Sequence, residues 1–154
     1  EAPIALATDK MNLDYLSYLA DKIVGQVPKS GHVAMLGMSY KPDTGVTEQS
    51  PSIFLVQKLL AKGVAVSAYD PLALPESKVK LGDQVVWASS VEDCVRQADA
   101  VVLAVAWQEF SALTPAMLKN GGREVLVVDC WRQLAAADFI KSEARLSHPG
   151  KCEE

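Results

Sequence analysis

Cysteine is scarce in this chain of 154 residues: Cys94, Cys130 and Cys152 are odd in number, lie far apart and form no CxxC pair. That argues against a disulfide framework or a zinc site and predicts a reducing compartment. His32 and His148 have no carboxylate or second histidine at useful spacing, so neither reads as a catalytic base or a metal ligand, and no metal is expected. Positive charge is in deficit. A net charge of −4 and a pI near 5.2 argue against a nucleic-acid or anionic-membrane surface. No apolar run approaches the about 18 residues of a membrane span, and no signal-peptide pattern opens the chain, so the expectation is a soluble, cytoplasmic protein. The tight glycine fingerprint GxGxxG is missing as well, as are internal repeats and low-complexity tracts.

What is present is a core. With 49% hydrophobic residues, the length fits one compact domain. The most informative stretch is 33–71. Val33 to Met38 is an apolar run suited to a buried parallel strand, and Ser39 to Gln49 is a polar loop without helical period, carrying Lys41, Pro42, Asp43, Thr44 and Gly45. From Ser50, residues Ile53, Leu55, Val56, Leu59 and Leu60 recur at helical spacing until Lys62-Gly63. Val64 to Tyr69 is a second strand, closed by Asp70-Pro71. This βαβ unit has a ligand-sized loop at the carboxyl end of its first strand, where open parallel sheets bind small molecules.

The remaining pattern repeats the alternation. Asn12 to Val27 reads as an amphipathic helix with Leu13, Leu16, Leu19, Ala20, Ile23 and Val24 as its stripe. Leu72 to Asp83, punctuated by Pro75 and Gly82, reads as loop with at most a short helical turn. Short strand Val85–Trp87, helix Val91–Gln97 capped by Ser90, and strand Ala100–Ala106 follow. Then come helix Ser111–Lys119, strand Val125–Val128 ending at Asp129, and helix Gln133–Lys141. The polar tail from Ser147 is expected to be disordered. Strands alternating with helices predict an α/β fold, a Rossmann-like doubly wound parallel sheet.

The segment Gly37-Met38-Ser39-Tyr40-Lys41-Pro42-Asp43-Thr44, then Ser50-Pro51 and Tyr69-Asp70-Pro71, resembles the C-terminal UDP-binding domain of the UDP-glucose/GDP-mannose dehydrogenase family. The likeness continues in Ala98-Asp99-Ala100-Val101-Val102, Trp107-Gln108-Glu109-Phe110 and Val127-Val128-Asp129. It implies that residues 1–30 are the later part of that family's central, dimer-forming helix with its linker. Residues 31–146 would be the UDP-sugar-binding Rossmann-like domain and 147–154 the tail. It also implies a full enzyme that oxidises a UDP-sugar to the uronate in a four-electron reaction, with two NAD and a cysteine thiohemiacetal. NAD would be held by an N-terminal domain of the same polypeptide. Neither the glycine fingerprint nor a Gly-Gly-Ser-Cys-like segment occurs in this chain, so it is expected to bind but not to catalyse.

By position alone Lys41 reads as a solvated loop charge; with the motif it becomes the contact to a diphosphate or sugar oxygen. For Tyr40 the resemblance implies a backbone contact to substrate, compatible with a ring that covers the sheet edge. Thr44 belongs to the same loop motif. Ser50 and Pro51 read as helix cap and first-turn proline, aiming a helix dipole at the anion site. Asp70 would be the ribose-binding acid of a dinucleotide fold, but Pro71 and the missing glycine fingerprint favour a turn-stabilising role. Where many members have Asp-Gly-Arg, this chain has Asp129-Cys130-Trp131-Arg132, so contact of Arg132 with the nucleotide sugar stays open. Glu48 stands where the family often has an NAD-contacting arginine, and a carboxylate does not replace a guanidinium beside a pyrophosphate. Cys94 reads as a buried apolar filler. Two other readings remain: a stand-alone non-catalytic Rossmann-like module, and a domain binding NAD or coenzyme A directly, against which the lack of a tight glycine turn counts.

Overall fold

The computed structural model describes residues 2–118, 120–140 and 142–150. Six parallel strands form one sheet: β1 (His32–Leu36), β2 (Ala65–Tyr69), β3 (Val86–Trp87), β4 (Ala100–Leu103), β5 (Val125–Asp129) and β6 (Ala144–Ser147), in the order β3-β2-β1-β4-β5-β6. Register sets Val33 beside Val66 on one side and Ala100 on the other, and Leu126 beside Ala100. The chain winds outward in both directions from β1 and β4. The crevice at their carboxyl ends is therefore the topological switch point, where such sheets take ligands.

Both faces are covered, which is why the strands read as continuous apolar runs. Val33 and Met35 of β1 face a core shared with α1 (Pro3–Val24), α2 (Pro51–Ala61) and α3 (Leu74–Leu81). Their neighbours Ala34 and Leu36 face a second core with Cys94 and Val95 of α4 (Val91–Val95), Phe110, and Phe139 of α5 (Ala136–Phe139). Fully buried Cys94 is the filler expected of it. In α2, the Ser50 hydroxyl accepts from the Ser52 amide, Pro51 opens the first turn, and Ile53, Leu55, Val56 and Leu59 are buried.

Five expectations need correction. The first helix starts at Pro3, not Asn12, and stops at Val24. Its first turns pack on nothing among the described residues, so they left no apolar period to read; Ile4 is 83% exposed and Met11 71%. Leu72–Asp83 is not mainly loop: Leu74–Leu81 is α3, with Pro75 in its first turn, where a proline costs no hydrogen bond, and Ser77 and Leu81 inward one turn apart. Ser111–Lys119 is not a helix but two 3-10 turns, Gln108–Ala112 and Pro115–Met117, because Pro115 lacks the amide that would join them; Lys119 lies outside the described residues. Gln133–Lys141 shrinks to the single turn of α5, and Lys141 is likewise outside the described residues. The region expected to run into a disordered tail contains β6, whose last residue is Ser147, and the His148 ring meets the Asp129 carbonyl at 3.3 Å. Residues 151–154 of that tail lie outside the described residues.

Candidate functional site at the carboxyl edge

Four strand ends meet at the switch point, and one carboxylate ties three of them together. Asp70, at the end of β2 and 1% exposed, receives hydrogen bonds from six donors. Its Oδ2 accepts from the amides of Met38 (2.8 Å) and Ser39 (3.0 Å), the Ser39 hydroxyl (3.0 Å) and the Trp107 indole N–H (3.2 Å). Its Oδ1 accepts from the amides of Leu72 (2.9 Å) and Ala73 (2.7 Å). Asp70 thus holds its own turn, the start of the loop after β1, and Trp107 from the segment after β4.

The loop leaves β1 through Gly37, whose φ of +98° and close approach to Val105 demand glycine: a Cβ there would lie 2.5 Å from the Val105 Cβ. The Ser50 hydroxyl donates to the Met38 carbonyl at 2.8 Å, so the cap of α2 is stitched to the start of the same loop. Between these anchors Tyr40 donates its amide to Val46 (2.8 Å), and the Thr44 hydroxyl accepts from the Val46 amide (3.3 Å). Asp43 and Gln49 sit in the left-handed region at φ 60° and 55°, strain of the kind that accumulates at ligand loops. The shape presents Tyr40 and Lys41 to solvent, Tyr40 56% exposed, and Lys41 has no ion pair among the described residues. Glu48 is exposed on the same loop.

Glu76 on α3 braces the loop from below, accepting from the Thr47 amide at 3.1 Å. Hydrogen bonding from Thr47, with the Lys80 ammonium at 3.3 Å, holds the Glu76 carboxyl below its usual value of 4.5.

On the far side of the crevice, Asp129 organises the end of β5 by accepting from the amides of Trp131 (3.0 Å) and Leu134 (2.9 Å). Arg132 follows at φ 57°, exposed, and Gln133 donates to the Trp107 carbonyl at 3.1 Å. Tyr40, Lys41, Thr44, Ser50, Pro51 and Asp70 thus gather around the β1 and β2 ends, while Arg132 stands two strands away, beyond β4. Trp107 and Ser39 lie at the centre of the hydrogen-bond set and carried no role in the sequence reading; Trp107 followed a strong strand, but its pairing with Asp70 spans 37 residues and left no local signal.

Both described cysteines have thiol pKa values raised above the ordinary one. Burial pushes the Cys94 thiol up to about 12. Burial of its sulfur and then the Asp129 charge push Cys130 up to about 12; that residue keeps exposed surface, yet the adjacent carboxylate alone favours the protonated thiol. The polar groups of the first turn are already engaged with one another. The Met38 and Ser39 amides donate to Oδ2 of Asp70, and its Oδ1 accepts from the Leu72 and Ala73 amides. A cleft of about 350 Å³ between α1 and the end of β6, lined by Tyr15, Tyr18, Lys22 and His148, contains none of these residues. The residues brought together above lie on the open carboxyl edge of the sheet instead.

Fold and site together define a doubly wound α/β domain with a carboxyl-edge ligand loop. The chain belongs to the UDP-glucose/GDP-mannose dehydrogenase family: the model of that family's UDP binding domain matches residues 34–136. The UDP-glucose 6-dehydrogenase AglM of Haloferax volcanii is 37% identical over 73% of this chain, and the UDP-glucose 6-dehydrogenase of Rickettsia bellii is 28% identical over 92%. The UDP-glucose dehydrogenase structure from Pyrobaculum islandicum superposes with a TM-score of 0.68 at 25% identity, covering 94% of this chain and 30% of that one. This chain spans 33% of the length of the Rickettsia bellii relative and 25% of the Haloferax volcanii one.

Proposed function

We propose that this chain is the nucleotide-gripping wall of an NAD-dependent nucleotide-sugar 6-dehydrogenase, and that its ligand is a UDP-sugar. The observation that carries the reading is the loop after β1. It is held at its two ends by Asp70 and Ser50, and at the switch point of the sheet it presents an exposed lysine that has no ion pair among the described residues. An ammonium and a helix N-terminus together favour a diphosphate. Arg132 approaches the same ligand from the β5 side, and Thr44, Ser50, Pro51 and Asp70 keep the loop in shape. In the intact cytoplasmic enzyme, oxidation of the sugar to the uronate uses two NAD held by an N-terminal domain. That assignment is supported by the occupied amides of the first turn described above and by the carboxylate of Glu48 on the loop. This chain alone binds and does not catalyse.

Replacing Lys41 by alanine in the full-length enzyme tests the reading. The loss of a charge-assisted contact is expected to cost about 1.5–3 kcal/mol, or roughly ten- to a hundred-fold in substrate recognition. Lys41→Arg is not expected to restore it, because a planar fork does not occupy the space of a compact ammonium. Apparent affinity and turnover within twofold of the parent would make Lys41 a solvated charge.

A further inference from the structure

The Trp131 side chain has no part in the contacts assigned above. It follows β5, a strand buried along its whole length, yet 54% of its own surface is open. Its position is not loose. The indole N–H donates to the Ala104 carbonyl at 2.9 Å, and its backbone amide is held by Asp129 at 3.0 Å. The ring edge is anchored while much of the ring stays bare. A tryptophan serving only as packing would bury its faces; one fixed by its edge is a prepared stacking surface.

We propose that Trp131 is the platform on which the base of the bound nucleotide stacks. This rests on the reading of the carboxyl edge as the nucleotide site. The loops after β1 and β5 are separated by β4, two strand spacings of about 4.8 Å each. A nucleotide whose diphosphate lies at Lys41 spans that interval with its ribose over β4, where Trp107 and Gln133 join the loops through the Trp107 carbonyl. Its base then reaches Trp131, with exposed Arg132 alongside. The rim offers a planar π surface. Because the ring is already tethered, stacking on it carries little further ordering cost. Stacking also accepts any base, so GDP is expected to bind this surface about as well as UDP.

The test is a titration of this chain with UDP, inorganic pyrophosphate and glucose 1-phosphate, followed by amide and indole N–H resonances, in the parent, Trp131→Ala and Trp131→Phe. UDP is expected to shift the Trp131 indole signal. Trp131→Ala is expected to weaken UDP about five- to a hundred-fold, the range of single-base stacking. Pyrophosphate should stay within twofold in that variant, which also shows that the fold is intact, and Trp131→Phe should keep UDP within about threefold. If Trp131→Ala leaves UDP unchanged while UDP still shifts Ser39 to Thr47, the platform falls and the nucleotide reading stands. If the variant weakens glucose 1-phosphate and not UDP, the ring serves the sugar and the proposal is overturned. If UDP and pyrophosphate shift nothing, both the proposal and the nucleotide reading fall.

Discussion

At the scale of single residues, Asp70 decides the shape of the site. A buried carboxylate with six donors is satisfied far beyond what one turn requires, and four of those donors come from outside its own turn. Asp70→Ala leaves buried N–H groups without partners, each costing about 1–3 kcal/mol, so a loss of about 3 kcal/mol or more is expected in urea unfolding. Asp70→Asn should cost less, since one oxygen remains to serve one arm of the set. Equal and small losses in both variants would show that water replaces the carboxylate. The sequence marked Asp70 as a strand-end acid and Lys41 as a loop cation, because each sits at a fixed place in the βαβ pattern. It did not mark Ser39 or Trp107, whose roles exist only once segments 31 and 37 residues from Asp70 are folded together.

Among the elements, α3 has the most direct bearing on function, since its Glu76 holds the Thr47 amide of the ligand loop. Its carboxyl lies below the usual 4.5 in the folded chain, so its contribution to stability is full above that value and is lost as pH falls through the lower folded value. Glu76→Gln is therefore expected to flatten the acid side of the stability curve below about pH 4.5 and to speed amide exchange at Thr47. An unchanged acid limb with unchanged exchange would remove α3 from the loop's support. This element was illegible for a physical reason: Pro75 and Gly82 read as breakers, but in place they are a first-turn proline and a residue at the helix end. The strands β1, β2, β4 and β5 were legible because burial on both faces writes unbroken apolar runs. The 3-10 turns and β6 were not. They are short, and their place is set by neighbours distant in sequence, such as Phe110 entering the second core.

For the whole molecule, α1 is the element whose surface is least used by the fold. Leu19 and Ile23 are buried on the sheet, whereas Ile4, Leu6 and Met11 on the earlier turns stay exposed. We expect those turns to self-associate, so the sedimentation mass of this chain should rise with concentration; a clean monomer at high concentration would contradict it. No described helix is long and apolar enough to cross a membrane. The central claim, that the carboxyl edge of this sheet grips a nucleotide diphosphate through the loop after β1, is tested most directly by titrating the nitrogen-labelled chain with UDP-glucose and mapping its amide shifts. The shifts are expected to concentrate at Ser39 to Thr47 and the first turn of α2, and to shrink in Lys41→Ala; weak affinity is expected, since one wall alone bears the cost of ordering the ligand. Saturating UDP-glucose that leaves these amides unmoved, or moves only residues around the α1 cleft, would contradict the claim.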